Sequence, residues 1–122
     1  MKKIQTSNAP AAIGPYSQAI EANGFVYTSG QLGIDPKNGE LPESFDAQAE
    51  LSLKNLGAIL EEAGLSYDNV VKTTCFLKNM GDFAAFNAIY SKYFANCPAR
   101  SCIEVAALPK GALVEVEAVA AK

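Results

Sequence analysis

Between Val114 and Ala118 the chain follows a pattern that suits one kind of element only. Val114, Val116 and Ala118 are apolar, and Glu115 and Glu117 stand between them. A period of two puts the apolar side chains on one face of a strand and both carboxylates on the other. Such a strand belongs to a sheet with one face packed on a core and the other face polar or shared. Just upstream, residues 100–107 read as a second strand. There Ser101, Ile103, Val105 and Ala107 share one face, and Arg100, Cys102 and Glu104 share the other. Leu108-Pro109-Lys110-Gly111 is a turn signal, so the simplest expectation is a hairpin of 100–107 with 113–120.

Arg100 and Glu115 are unusual in so apolar a stretch. A guanidinium is a planar fork that grips a carboxylate or phosphate through two parallel bonds. A sheltered carboxylate can orient water and move a proton. The plain alternative is a surface arginine and a solvent-facing glutamate on an ordinary hairpin. In that hairpin Glu115 would face about Val105, which leaves Arg100 roughly 17 Å away at strand rise. Either the two strands are not neighbours, or the two groups meet across an interface.

The 122 residues suffice for one domain, 1–122, with a real core. The net charge of −3 and the lack of any basic run disfavour nucleic acid as a partner. No stretch is apolar enough to span a membrane, and the N-terminus has no apolar signal core, so the expected location is the cytoplasm. Cys75, Cys97 and Cys102 form no C-x-x-C pair, which fits free thiols in a reduced compartment. The chain has no histidine, which removes Ser-His-Asp and Cys-His catalysis and the usual zinc sites. No glycine-rich phosphate loop occurs. Neither a metal nor a cofactor is expected.

Other elements follow from local chemistry. A short strand fits residues 2–6, and Asn8–Pro15 reads as loop. Residues 17–22 and 25–29 predict a hairpin around Asn23-Gly24. Asp35–Pro42 is a surface connection. Ala49, Leu53, Leu56, Leu60 and Ala63 predict a core-facing helix over 44–63, capped by Ser44 or Asp46 and stopped at Gly64. A strand rich in β-branched residues fits 69–77. A second helix over 82–94 carries Phe83, Phe86, Tyr90, Tyr93 and Phe94, with Asn87 inside that aromatic stripe. The order β-β-β-α-β-α-β-β predicts an α+β fold: a mixed sheet with both helices on one face.

Several stretches together carry a resemblance. They are Ala12-Ile13-Gly14-Pro15-Tyr16-Ser17-Gln18-Ala19, Tyr27-Thr28-Ser29-Gly30-Gln31, Val71-Lys72-Thr73-Thr74, Asp82-Phe83-Ala84-Ala85-Phe86-Asn87 and the segment Pro98–Glu117. In their order and over nearly the whole chain they resemble the RidA/YjgF family of reactive-intermediate deaminases. The resemblance implies a chorismate-mutase-like fold assembled as a trimeric barrel, with active sites between subunits. It implies a 2-iminobutanoate/2-iminopropanoate deaminase that hydrolyses enamines and imines such as 2-aminoacrylate to 2-oxo acids and ammonia. Arg100 would hold the substrate carboxylate and Glu115 would position the water. Tyr16, Ser29, Gly30, Asn87 and Cys102 would complete the pocket. Glu117 shares the strand face of Glu115, and position in the family motif is what favours Glu115. The run Phe94–Pro98 departs from many relatives, which have a longer loop there. A non-catalytic module that binds a 2-oxo acid or amino acid is the alternative reading, and ribonuclease activity a third.

Overall fold

A computed structural model describes all residues from Met1 to Lys122. In chain order the elements are β1 (Lys2–Ile4), β2 (Ala19–Ala22), β3 (Phe25–Thr28), β4 (Gln31–Leu32), α1 (Phe45–Glu62), β5 (Val70–Leu77), α2 (Phe83–Tyr93), β6 (Ala99–Glu104) and β7 (Val114–Ala121). The strands form one mixed sheet in the order β1-β2-β3-β7-β5-β6, and β4 also pairs with β7. The alternation at 114–118 therefore lies in the middle of the sheet. Val114, Val116, Ala118 and Ala120 are buried against the helices, and Glu115 and Glu117 point to the opposite face.

The expected hairpin of 100–107 with 113–120 does not form. β6 runs parallel to β5, with Thr73 opposite Arg100 and Cys75 opposite Cys102. β7 runs antiparallel to β5 on its other side, with Phe76 opposite Glu115. The Pro/Gly turn signal is genuine, since Pro109–Gly111 makes a tight helical turn with Lys110 at φ 60°. The turn ends a long connection instead of joining neighbours. The β5-α2-β6 crossover decides the pairing, because a parallel partner needs a connection of this length and a helix to cover it. The Asn23-Gly24 hairpin does form, with both residues at positive φ (54° and 81°).

α1 begins at Ser44, whose side chain accepts the Ala47 N–H. All five residues of its predicted stripe are buried, with Leu53, Leu56 and Leu60 wholly so. Each such leucine is worth roughly 1.5–3 kcal/mol on burial. One further row was not anticipated. Gln48, Ser52 and Asn55 are buried on the flank of that stripe. Ser52 Oγ donates to the Gln31 carbonyl, and Asn55 Nδ2 to the Leu32 and Ile34 carbonyls. Gln48 Nε2 donates to the Pro42 carbonyl, and its Oε1 accepts the Leu113 N–H. The helix thereby fixes β4 and the approach to β7 through two side-chain amides and a hydroxyl, where a short two-residue strand cannot hold itself.

Candidate active site

The site begins at an interruption. β3 and β4 lie along the same edge of β7, with Tyr27 opposite Val119 and Leu32 opposite Glu115. Ser29 and Gly30 fall between the two strands and leave the ladder. Ser29 is held elsewhere, since its N–H donates to the Gln18 carbonyl at 2.8 Å and its Oγ to the Ser17 carbonyl at 2.6 Å. Gly30 leaves room for the carboxyl group of Glu115. A Cβ built at Gly30 would lie 2.7 Å from Glu115 Cδ, so no larger residue fits while Glu115 keeps this position.

Beside this break is a cavity of about 830 Å³. Its walls include Tyr16, Ser29, Gly30, Glu115 and Glu117, together with Gln18, Asp35 and Lys110. Tyr16 is 53% exposed and Ile13 82% exposed, which puts two large side chains near open solvent on the cavity wall. Burial raises the Glu115 carboxyl above its ordinary 4.5, and the neighbouring Glu117 pushes the same way. A carboxylate so placed is a stronger base than an exposed one and holds a proton more firmly once it has taken it.

Arg100 lies elsewhere. Its guanidinium sits over the α2 rings, 4.8 Å from the Tyr90 centroid, 5.5 Å from Phe83 and 6.0 Å from Phe86. Stacking of this kind fixes the plane of the fork. The chain's ion pairs are Lys92–Glu50 and Lys122–Glu21, so Arg100 has no carboxylate partner within it. Cys102 is half-buried on the same strand face, opposite the buried Cys75. Asn87 is half-buried on α2, one turn from both Phe83 and Tyr90.

The two groups cannot meet within one chain. Arg100 is opposite Thr73 and Glu115 opposite Phe76, and residues three apart on β5 point to opposite faces. Two strand spacings and three residues of rise separate their Cα atoms by roughly 14 Å. The predicted site residues thus form two groups. Tyr16, Ser29, Gly30 and Glu115 share the cavity. Arg100 and Cys102 lie on the helix face of β6, with Asn87 on the adjoining helix. Sequence reasoning missed Gln18, Asp35 and Lys110 as cavity residues, although Gln18 belongs to a motif it had singled out.

Comparison with known proteins bears on what this arrangement is. The profile of the family described as endoribonuclease L-PSP matches residues 6–122. The 2-iminobutanoate/2-iminopropanoate deaminase of Salmonella typhimurium is 51% identical over 125 residues, which cover 99% of this chain and 98% of that protein. The chain belongs to the RidA/YjgF family. Within the family it is also 57% identical to a RutC family protein of Synechocystis, over 98% of this chain and 95% of the relative. The fold superposes on the YjgF gene product of Escherichia coli with a TM-score of 0.96 at 48% identity, covering 100% of this chain and 99% of that one. Escherichia coli TdcF with bound serine matches with a TM-score of 0.97 at 43% identity, over 100% and 99% of the two chains. Members of the RidA/YjgF family therefore carry deaminase, RutC and endoribonuclease names on one α+β fold.

Proposed function

We propose that this protein hydrolyses reactive 2-imino acids, such as the 2-iminopropanoate formed from 2-aminoacrylate, to 2-oxo acids and ammonia. The observation that carries the reading is Glu115, a half-buried carboxyl with a raised pKa, set against Gly30 on the wall of a cavity. The deaminase name of relatives at about half identity supports it. Water adds to C2 of the imine as Glu115 takes its proton. That proton passes to nitrogen and gives a carbinolamine; Glu115 then carries the hydroxyl proton to the amine, the C–N bond breaks, ammonia leaves and C2 becomes a carbonyl. No electrons change hands, and the imine is already electrophilic, so the reaction needs neither a metal nor a cofactor.

A carboxylate clamp completes the scheme. Arg100 has a ring-stacked guanidinium without a carboxylate partner, which suits the C1 carboxylate of a small imino acid. Its position on the face opposite Glu115 leads us to propose a homotrimer in which Arg100 of one subunit serves the cavity of the next. The uncovered sheet face supports this assembly, since Phe25 is 39%, Tyr27 47% and Ile103 46% exposed there. Holding water and imine together removes part of the entropic barrier to addition.

The direct test is ammonia release from 2-aminoacrylate, generated in place by a serine/threonine dehydratase. Acceleration over the uncatalysed rate is expected. The serine bound to TdcF keeps a second reading in view, a module that binds amino or 2-oxo acids without turnover. Binding of serine or pyruvate with no acceleration of ammonia release would favour that module.

A further inference from the structure

Gln18 takes no part in the chemistry above, yet it touches both walls of the cavity. It is 3% exposed. Its Oε1 accepts the Thr6 N–H at 2.7 Å, and its Nε2 donates to the Thr6 carbonyl at 3.0 Å and to the Pro10 carbonyl at 2.8 Å. The Ala9 carbonyl stands at 3.4 Å. An amide nitrogen has two hydrogens, so Thr6 and Pro10 take them and Ala9 has at best a shared one. Only one orientation of the amide works, because a flip would set NH₂ against an N–H and oxygen against carbonyls. The reciprocal bonds to Thr6 imitate an antiparallel ladder where β1 has run out, its last pair being Ile4 with Ala19. The backbone carbonyl of Gln18 meanwhile accepts the Ser29 N–H.

The segment from Ser7 to Tyr16 has few other anchors. Its remaining hydrogen bonds are Asn8 N–H to Thr6 Oγ1 and Tyr16 N–H to the Gly14 carbonyl, both internal to the 6–16 stretch. Hydrogen bonding from this segment to the sheet therefore runs through the Gln18 side chain alone. Ala9, 2% exposed, adds an apolar foothold. No apolar residue offers an acceptor and two donors at this spot, and a carboxylate would set a lone pair against two carbonyls.

We propose that Gln18 is a positioning residue that holds the 6–16 segment as a ready-made cavity wall, so that a ligand does not have to order Tyr16 as it binds. The inference rests on the deaminase reading for its kinetic consequence but not for its structural one. A wall ordered in advance spares the ligand an ordering cost, which appears in binding more than in the chemical step.

Gln18→Met removes the hydrogen bonds at nearly constant length. In hydrogen exchange, the Thr6, Asn8 and Tyr16 amides should exchange at least about tenfold faster while β5 amides keep their protection. In the coupled ammonia assay KM should rise about tenfold with kcat within about threefold, the signature of lost binding shared by ground and transition states. Unchanged exchange at those three amides overturns the proposal, and so does faster exchange with an unaltered KM. A fall in kcat at constant KM also overturns it. If Gln18→Met loses protection in β5 as well, Gln18→Glu serves instead. That variant keeps the volume and the acceptor for Thr6 N–H, and the same readings apply to it. Absence of ammonia release from the unaltered protein would count against the deaminase reading, while the exchange comparison would still decide the role of Gln18 in holding the wall.

Discussion

Glu115 and Arg100 are each prepared by their neighbours in a different way. Burial and Glu117 make Glu115 reluctant to ionise. A group whose pKa is higher folded than unfolded binds more protons in the native state, so stability falls as pH rises between the two values. Glu115→Gln should therefore raise the melting temperature at pH 7–8, and the gain should shrink as pH falls and vanish near pH 3, well below the ordinary 4.5, where the carboxyl is protonated in both states. The same change should cut kcat by about a hundredfold or more, the usual scale of general acid–base catalysis. Thermal melts across pH and the ammonia assay check the two halves, and a Glu117→Gln variant with the larger kinetic loss would transfer the role to that residue. Arg100→Lys should fold normally and lose most activity, because an ammonium keeps the charge but neither the fork nor the stacking. Much of this was legible beforehand. The alternation of Val114–Ala118 showed which side of its strand Glu115 would take. The distance from Arg100 to Glu115 was not legible, because β5 lies between their strands and nothing in either strand announces it.

At the scale of elements, local signals worked where one segment determines its own fate. Ser44, the stripe from Ala49 to Ala63 and Gly64 defined α1 almost to the residue. They failed where a segment depends on a distant partner. β4 has two residues and exists only because β7 pairs with it and Ser52 and Asn55 hold its carbonyls. Gln48, Ser52 and Asn55 read as ordinary surface polarity until the strand they serve is known. Gly57 shows the same dependence. Replacing a mid-helix glycine by alanine usually stabilises by roughly 1 kcal/mol. Here a Cβ would lie 2.1 Å from the Tyr67 hydroxyl oxygen and 2.6 Å from its Cζ, and that hydroxyl donates to the Leu53 carbonyl at 2.7 Å. Gly57→Ala should therefore destabilise by about 1–3 kcal/mol, the range for overpacking a filled site. Urea unfolding measures it, and a stabilised variant would show that Tyr67 moves aside freely.

For the whole molecule the open sheet face is the decisive feature, because a single layer of helices covers only the other side. Sedimentation equilibrium should give three times the 12.9 kDa chain mass. Mixed trimers of Arg100→Ala and Glu115→Ala chains should recover activity that neither variant has alone, and no recovery after proven subunit exchange would reject a clamp lent by the neighbour. The placement of β7 has a consequence of another kind. It follows every other element in the chain, yet it is the strand to which β3, β4 and β5 all pair. A ribosome adding roughly 5–20 residues per second releases β3 many seconds before the strand that completes it. Nascent chains halted before Val114 should stay protease-sensitive throughout, and resistance should arrive in one step once β7 has cleared the exit tunnel.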